Sequence, residues 1–175
     1  DTIIYATYDR CLRDIVISDS VFSLSPELTR YTMEDGSLED NESYFSRKLA
    51  QAGVGIISGL ARGIDSEAHK GALKGKGETW GVLGSGINIC YPRENRPLFE
   101  QMKRQGGVLS EYGLDAKPEP WHFPMRNRII SGLADGIFVI EARERSGSLI
   151  TVDVGLDQGK NIYALPGCFH ASLSR

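Results

Sequence analysis

Val54-Gly55-Ile56-Ile57-Ser58-Gly59-Leu60-Ala61-Arg62-Gly63-Ile64-Asp65 decides the fold of this chain of 175 residues. A short run of branched apolar residues ends in Ser-Gly, and a glycine-framed turn hands over to residues 64–74, which read as a helix. Strand, tight turn and helix in that order are the first part of a βα unit.

The same punctuation recurs downstream. Thr79-Trp80-Gly81-Val82-Leu83, Val108-Leu109-Ser110-Glu111-Tyr112, Ile137-Phe138-Val139-Ile140 and Asn161-Ile162-Tyr163-Ala164-Leu165 read as strands. Helices are expected near 42–52, 64–74, 94–105, 125–134 and 148–158, the last three announced by Pro92, Pro124 and Ser146. Runs such as Ile137 to Ile140 lack polar alternation, so their strands are expected to be covered on both faces. The fold class is α/β, with a doubly wound, mainly parallel sheet.

With 41% hydrophobic and 25% charged residues, 20 glycines and 7 prolines, the composition excludes disorder, collagen and small disulfide scaffolds. No segment approaches the roughly 20 apolar residues of a membrane helix, and the N-terminus lacks the layout of a signal peptide, so a cytoplasmic protein without a membrane partner is expected. Cys11, Cys90 and Cys168 are odd in number and far apart, which points to reduced thiols rather than a disulfide framework or a metal site. Net charge is −3. Residues 1–50 carry the acidic excess, whereas 51–175 hold 15 Lys/Arg against 13 Asp/Glu.

Three parts are expected: a poorly defined N-terminal segment 1–41, the main domain 42–167, and a tail 168–175. Within the first, Asp14–Ser18 and Ser20–Leu24 are candidate strands, and the polar stretch 32–42 reads as an exposed loop.

In an open parallel sheet, ligands gather beyond the carboxyl ends of the strands, where helix N-termini present free N–H groups. Three turns there are rich in Gly and Ser: Ser58-Gly59 to Gly63 with Arg62, Gly84-Ser85-Gly86, and Ser146-Gly147-Ser148. Each suits an anion, and three together suit one better than any alone. No Walker A signature is present, and Ile89 stands where Gly84-Ser85-Gly86 would need its third glycine, so ATP hydrolysis and classical dinucleotide redox chemistry are disfavoured.

Trp121-His122-Phe123-Pro124-Met125-Arg126-Asn127-Arg128 is the most unusual segment. Guanidinium groups pair with phosphates and exposed rings stack on unpaired bases. Arg126 and Arg128 lie two residues apart on one helix and cannot face the same way, so one of them suits a structural partner such as Glu141 or Glu111. Trp121 and Phe123 are either base platforms or core residues beneath the sheet edge. His122 reads as a hydrogen-bonding or capping residue, and His69 as a helix contact of Asp65. No catalytic triad is visible.

Taken in order, Ser58-Gly59-Leu60-Ala61-Arg62-Gly63-Ile64-Asp65 with Ala68-His69, Val82 to Gly86, Tyr91-Pro92-Arg93-Glu94-Asn95, Leu109 to Tyr112, Phe123 to Leu133, Ser146 to Thr151 and Ala164-Leu165-Pro166-Gly167 resemble the DNA-processing protein A family, also called DprA or Smf. The resemblance spans about residues 42–167. It implies an extended Rossmann-like domain that binds single-stranded DNA, forms a homodimer and helps load the RecA recombinase during natural transformation, without catalysis, cofactor or metal. It further implies phosphate contacts at Ser58, Gly59, Arg62, Gly63, Arg126, Asn127, Arg128, Ser146, Gly147 and Ser148, with Phe123 against a base.

Two departures stand out. Where the family carries Gly-Ser-Arg before the first helix, this chain has Gly36-Ser37-Leu38, and where it often carries a lysine, this chain has Pro120, with Lys117 as the nearest substitute. The alternative from the same superfamily is a nucleotide sensor or a hydrolase of the glycosidic bond of nucleoside monophosphates. Such an enzyme needs a placed carboxylate, and the first acid after Ser146 to Thr151 is Asp153.

Overall fold

The computed structural model describes residues 2–6, 30–32, 38–141 and 147–164. In chain order the elements are β1 (Thr2–Ala6), β2 (Arg30–Thr32), β3 (Leu38–Asp40), α1 (Asn41–Gln51), β4 (Ile56–Ser58), α2 (Ile64–Lys74), β5 (Thr79–Val82), a 3₁₀ turn (Arg93–Asn95), α3 (Arg96–Gln105), β6 (Gly106–Leu109), α4 (His122–Leu133), β7 (Gly136–Glu141), α5 (Gly147–Asp157) and β8 (Asn161–Ala164). The α/β class and the strand–helix alternation follow the sequence reading.

One six-stranded sheet has the order β6-β5-β4-β1-β7-β8. Strands β4, β5 and β6 run parallel, as do β7 and β8, and β1 pairs antiparallel with both β4 and β7. The expectation of a mainly parallel sheet therefore holds, with one antiparallel strand at its centre. That strand comes from the segment read as poorly defined, because five residues alone carry no period long enough to separate strand from loop.

Residues 32–42 correct another expectation. Strands β2 and β3 pair as a two-stranded antiparallel ladder, with Arg30 opposite Asp40 and Thr32 opposite Leu38, and α1 starts at Asn41. A ladder held by backbone hydrogen bonds needs no apolar alternation, so its polar sequence gave no strand signal. The candidate strands at 14–18 and 20–24, and the tail 168–175, lie outside the described residues.

Burial divides by sheet face. Ile56 packs with Leu49, Ala50, Ala68 and Ala72 beneath α1 and α2. Leu83, Leu98, Phe99 and Met102 continue that layer under α3. Ile57, Val82 and Ile137 point the other way, onto Ile130 of α4, Ala134 just beyond its end, and Val152 of α5. Alternate residues of β4 thus serve opposite layers, as double winding requires. Strand β6 begins two residues before its expected start because Gly106 and Gly107 permit close approach: a Cβ on Gly106 would sit 2.0 Å from the Thr79 carbonyl oxygen, and one on Gly107 2.4 Å from the Trp80 ring. The Cys90 thiol is free and buried, and burial raises its pKa.

Candidate nucleic-acid interface

The carboxyl ends of β4 and β5 lead into the turns at Gly59 and Gly84, and the first turn of α4 lies across both. The first turn is closed by Asp65, which is 8% exposed. Its carboxylate accepts the Ser58 hydroxyl at 2.8 Å and the Ala61 N–H at 3.0 Å, at the start of α2 where the helix dipole favours a negative charge. Leu60 is held at φ 57 with no exposed surface, and its carbonyl accepts the Asn95 amide at 3.0 Å. Gly63, at φ 80, caps α2 in a conformation that a side chain would strain. Within this turn the exposed groups are Ala61, Arg62 and Gly63.

Arg126 forms the floor of the cleft. It is 4% exposed, and its guanidinium donates to the Gly59 carbonyl at 2.8 Å and to the Val82 carbonyl. Its Nε–H reaches the Asn127 Oδ1 at 3.2 Å. Gly59 is required for this seat, since a Cβ there would stand 2.6 Å from both terminal guanidinium nitrogens. Arg126 thereby ties the ends of β4 and β5 to α4 through carbonyls at the sheet edge.

Above it lies a cluster of rings. The Phe123 ring is 5.9 Å from the Arg126 guanidinium carbon and 5.7 Å from the Tyr91 ring, and rests on Gly84, where a Cβ would come within 2.7 Å. His122 clips this end of α4 down: its Nδ1 lies 2.9 Å from the Gly84 carbonyl, its ring stacks on Tyr112 at 3.8 Å, and it is buried. The hydrogen-bonding role read for His122 agrees with this. Trp121, in contrast, is 61% exposed beside His122, and Tyr91 is 42% exposed. The sequence left Trp121 between platform and core; the structure puts it in solvent.

Other expected site residues are distributed differently. Gly84, Ser85 and Gly86 are all buried, with the Gly86 N–H given to the Ala116 carbonyl at 2.8 Å and the Ser85 hydroxyl to the Ile89 carbonyl at 2.9 Å. The open anion turn expected there is revised to a packing turn that seats Phe123. Asn127 reaches the start of α5, its amide donating to the Gly147 carbonyl at 3.4 Å. Gly147 is exposed, Ser148 lies in the first turn of α5, and Ser146 is outside the described residues. Lys117 is exposed on the loop that Ala116 anchors to Gly86.

The exposed guanidiniums are pre-paired. Arg62 bonds Glu94, which raises the Arg62 pKa and holds the Glu94 carboxyl below its ordinary range. Arg128 bonds Glu111, one of the two carboxylates the sequence offered to this arginine pair. Such exposed pairs are weak, so a phosphate can share or displace the carboxylate at little cost. Asp153, the acid that a glycosidic-bond hydrolase would require, is exposed on α5. Among the described residues no group of three or more His, Cys, Asp or Glu could hold a metal, and no helix is long and apolar enough to cross a membrane.

The seat of Phe123 makes a testable claim. Gly84→Ala should destabilise the fold by about 1–3 kcal/mol by overpacking. Phe123→Ala in the Gly84→Ala background should recover part of that loss, because the methyl then meets no ring; strict additivity in a urea-denaturation cycle would show that the two do not touch.

Comparison with known proteins places the chain in a family. The family model described as DNA recombination-mediator protein A matches residues 29–175. The DNA processing protein DprA of Bacillus subtilis is 46% identical over 125 residues, covering 71% of this chain and 42% of that protein. Protein Smf of Escherichia coli is 52% identical over 124 residues, covering 70% and 33%. The chain thus spans less than half the length of these relatives. Among solved structures, DNA processing protein A of Helicobacter pylori, described for its single-stranded DNA binding mode, superposes with a TM-score of 0.70 at 28% identity over 76% of this chain and 60% of that one. The Streptococcus pneumoniae protein superposes at 0.67 with 42% identity over 76% and 47%. A match across this much of the chain settles its kinship: the chain belongs to the DNA recombination-mediator protein A family, the DprA/Smf proteins.

Proposed function

We propose that this chain binds single-stranded DNA along the carboxyl edge of its sheet, as a non-catalytic module. The observation that carries the reading is the exposed Trp121, set against Tyr112 and His122, with the Tyr91–Phe123 ring pair on the same edge, which also bears the surface guanidiniums of Arg62 and Arg128. A monomer has no packing reason to leave a tryptophan mostly in solvent, whereas unpaired bases stack on such rings. Phosphates would meet Arg62, Gly63, Arg128 and the first turn of α5, with Lys117 in reserve on the neighbouring loop. Arg126 and Ser58 would shape the site from within. The wider role is protection of incoming strands and loading of RecA during natural transformation, as a homodimer in the cytoplasm. Kinship with the DprA/Smf proteins supports it.

Anisotropy of a labelled oligo-dT, read across salt concentrations with duplex DNA as competitor, tests the reading. Binding should fall with salt, with a log–log slope of roughly 0.7 per phosphate neutralised, and Arg62→Gln or Arg128→Gln should each reduce that slope. Trp121→Ala should weaken binding by about 1–3 kcal/mol while leaving an abasic oligomer unaffected. Absence of salt-sensitive binding at low ionic strength would sink the proposal.

A further inference from the structure

The opposite edge of the sheet carries a second feature. There the last turns of α2 and α3 face each other across a groove of about 570 Å³, lined by Lys70, Leu73 and Lys74 from one helix and Gln101, Arg104 and Gln105 from the other. Each set has the spacing i, i+3, i+4, so each is one helix face turned towards the other. Three lining residues are cationic, two are amides, one is apolar and none is acidic.

The nearby carboxylates are already engaged. Glu67 holds the Lys70 ammonium at 2.7 Å, and Glu100 is shared by Arg96 at 3.0 Å and Lys103 at 3.2 Å. These cations hold the Glu100 carboxyl below its ordinary range. Arg104 makes no hydrogen bond or ion pair with a described residue. Gln105 ties the two helix ends together, donating to the Gly77 carbonyl at 3.0 Å and to the Leu73 carbonyl at 3.4 Å, so the groove has a braced floor. Cations in a last helical turn also complement the helix dipole, which accounts for Lys74 and Arg104 one at a time. The Lys74 ammonium also donates to the Ser43 hydroxyl at 3.4 Å, and neither that bond nor the dipole accounts for Lys70, Lys74 and Arg104 lining one cavity.

We propose that this groove is a second anion site that takes the phosphates of a nucleic-acid strand, on the far edge from the ring cluster. A single apolar residue offers no anchor for a peptide, whereas cations and amide donors suit a phosphodiester backbone. The choice of ligand rests on the single-strand reading above; the geometry of the groove does not.

The test compares the wild-type chain with Lys70→Gln/Lys74→Gln/Arg104→Gln, confirmed as folded by its thermal melt. A short oligo-dT, long enough only for the ring cluster, should bind both proteins equally. A longer oligomer should bind the triple variant more weakly, with the salt slope reduced by about 2, three cations at roughly 0.7 each. Inorganic tripolyphosphate, which has no bases, should shift the amide resonances of residues 70–74 and 101–105 in the wild type and not in the variant. An unchanged slope for the long oligomer together with no tripolyphosphate shift would overturn the proposal, as would stronger competition by poly-glutamate than by DNA. Failure of both oligomers to bind while tripolyphosphate still marks the groove would instead overturn the single-strand reading and leave the anion site standing.

Discussion

Arg126→Met is expected to cost the fold about 3 kcal/mol while leaving the salt slope of DNA binding unchanged. The side chain is buried, and its guanidinium serves the carbonyls of Gly59 and Val82. Methionine fills similar volume but donates nothing, and each buried carbonyl that loses its donor costs about 1–3 kcal/mol. Arg126→Lys should not restore the loss, since a single ammonium cannot reproduce a planar fork aimed at two carbonyls. Urea midpoints with a constant m-value measure the first part, and the salt series measures the second. A stable Arg126→Met variant whose slope drops by one phosphate would show instead that this arginine leaves its seat for DNA.

Acid should weaken the fold through His69. The ring has no exposed surface, its Nδ1 lies 2.6 Å from the Thr79 hydroxyl, and its Nε2 has no hydrogen-bond partner among the described residues. Thr79 donates onward to the Ile56 carbonyl at 3.1 Å, which leaves the Nδ1–H tautomer as the consistent assignment. Burial, with the Arg126 charge adding to it, lowers the His69 pKa to about 3. The unfolded chain takes up a proton near pH 6.5 and the folded chain does not until near pH 3. The stability is therefore fully present above pH 6.5 and is lost as the pH falls towards 3. The loss amounts to about 1.4 kcal/mol per pH unit, on the order of 3 kcal/mol between pH 6.5 and 4. Urea midpoints at pH 7, 6, 5 and 4 should follow that slope, and His69→Gln should flatten it. An equal slope in both proteins would assign acid sensitivity to the carboxylates alone.

His69 also shows where the sequence stops being readable. Spacing pairs it with Asp65, yet Asp65 turns back to Ser58 and Ala61 while His69 crosses to Thr79, because each buried group takes the partner its own end of the helix is packed against. The arginine pair behaves differently. Their separation alone required them to diverge, and Arg128 does pair with Glu111. Which of the two is the inner one the sequence left open, and the structure decides it: His122, Arg126 and Ile130, every fourth residue, are all buried. Strands β4 to β8 were visible because their apolar runs end in Gly, Ser or Pro. Strand β1 was not, because its place in the sheet is decided by partners far along the chain.

That placement has a kinetic consequence. Among the described residues strand β1 alone bridges β4 and β7, and Tyr5 is paired on one side with Ile57 and on the other with Ile137, more than a hundred residues away. Until that long loop closes, the strands on either side form two separate ribbons with bare inner edges, and closure is slow when contacts are so remote in sequence. Joining the ribbons is the step during which those edges can pair with another chain instead, so the concentration at which refolding is attempted will decide how much protein reaches the native sheet.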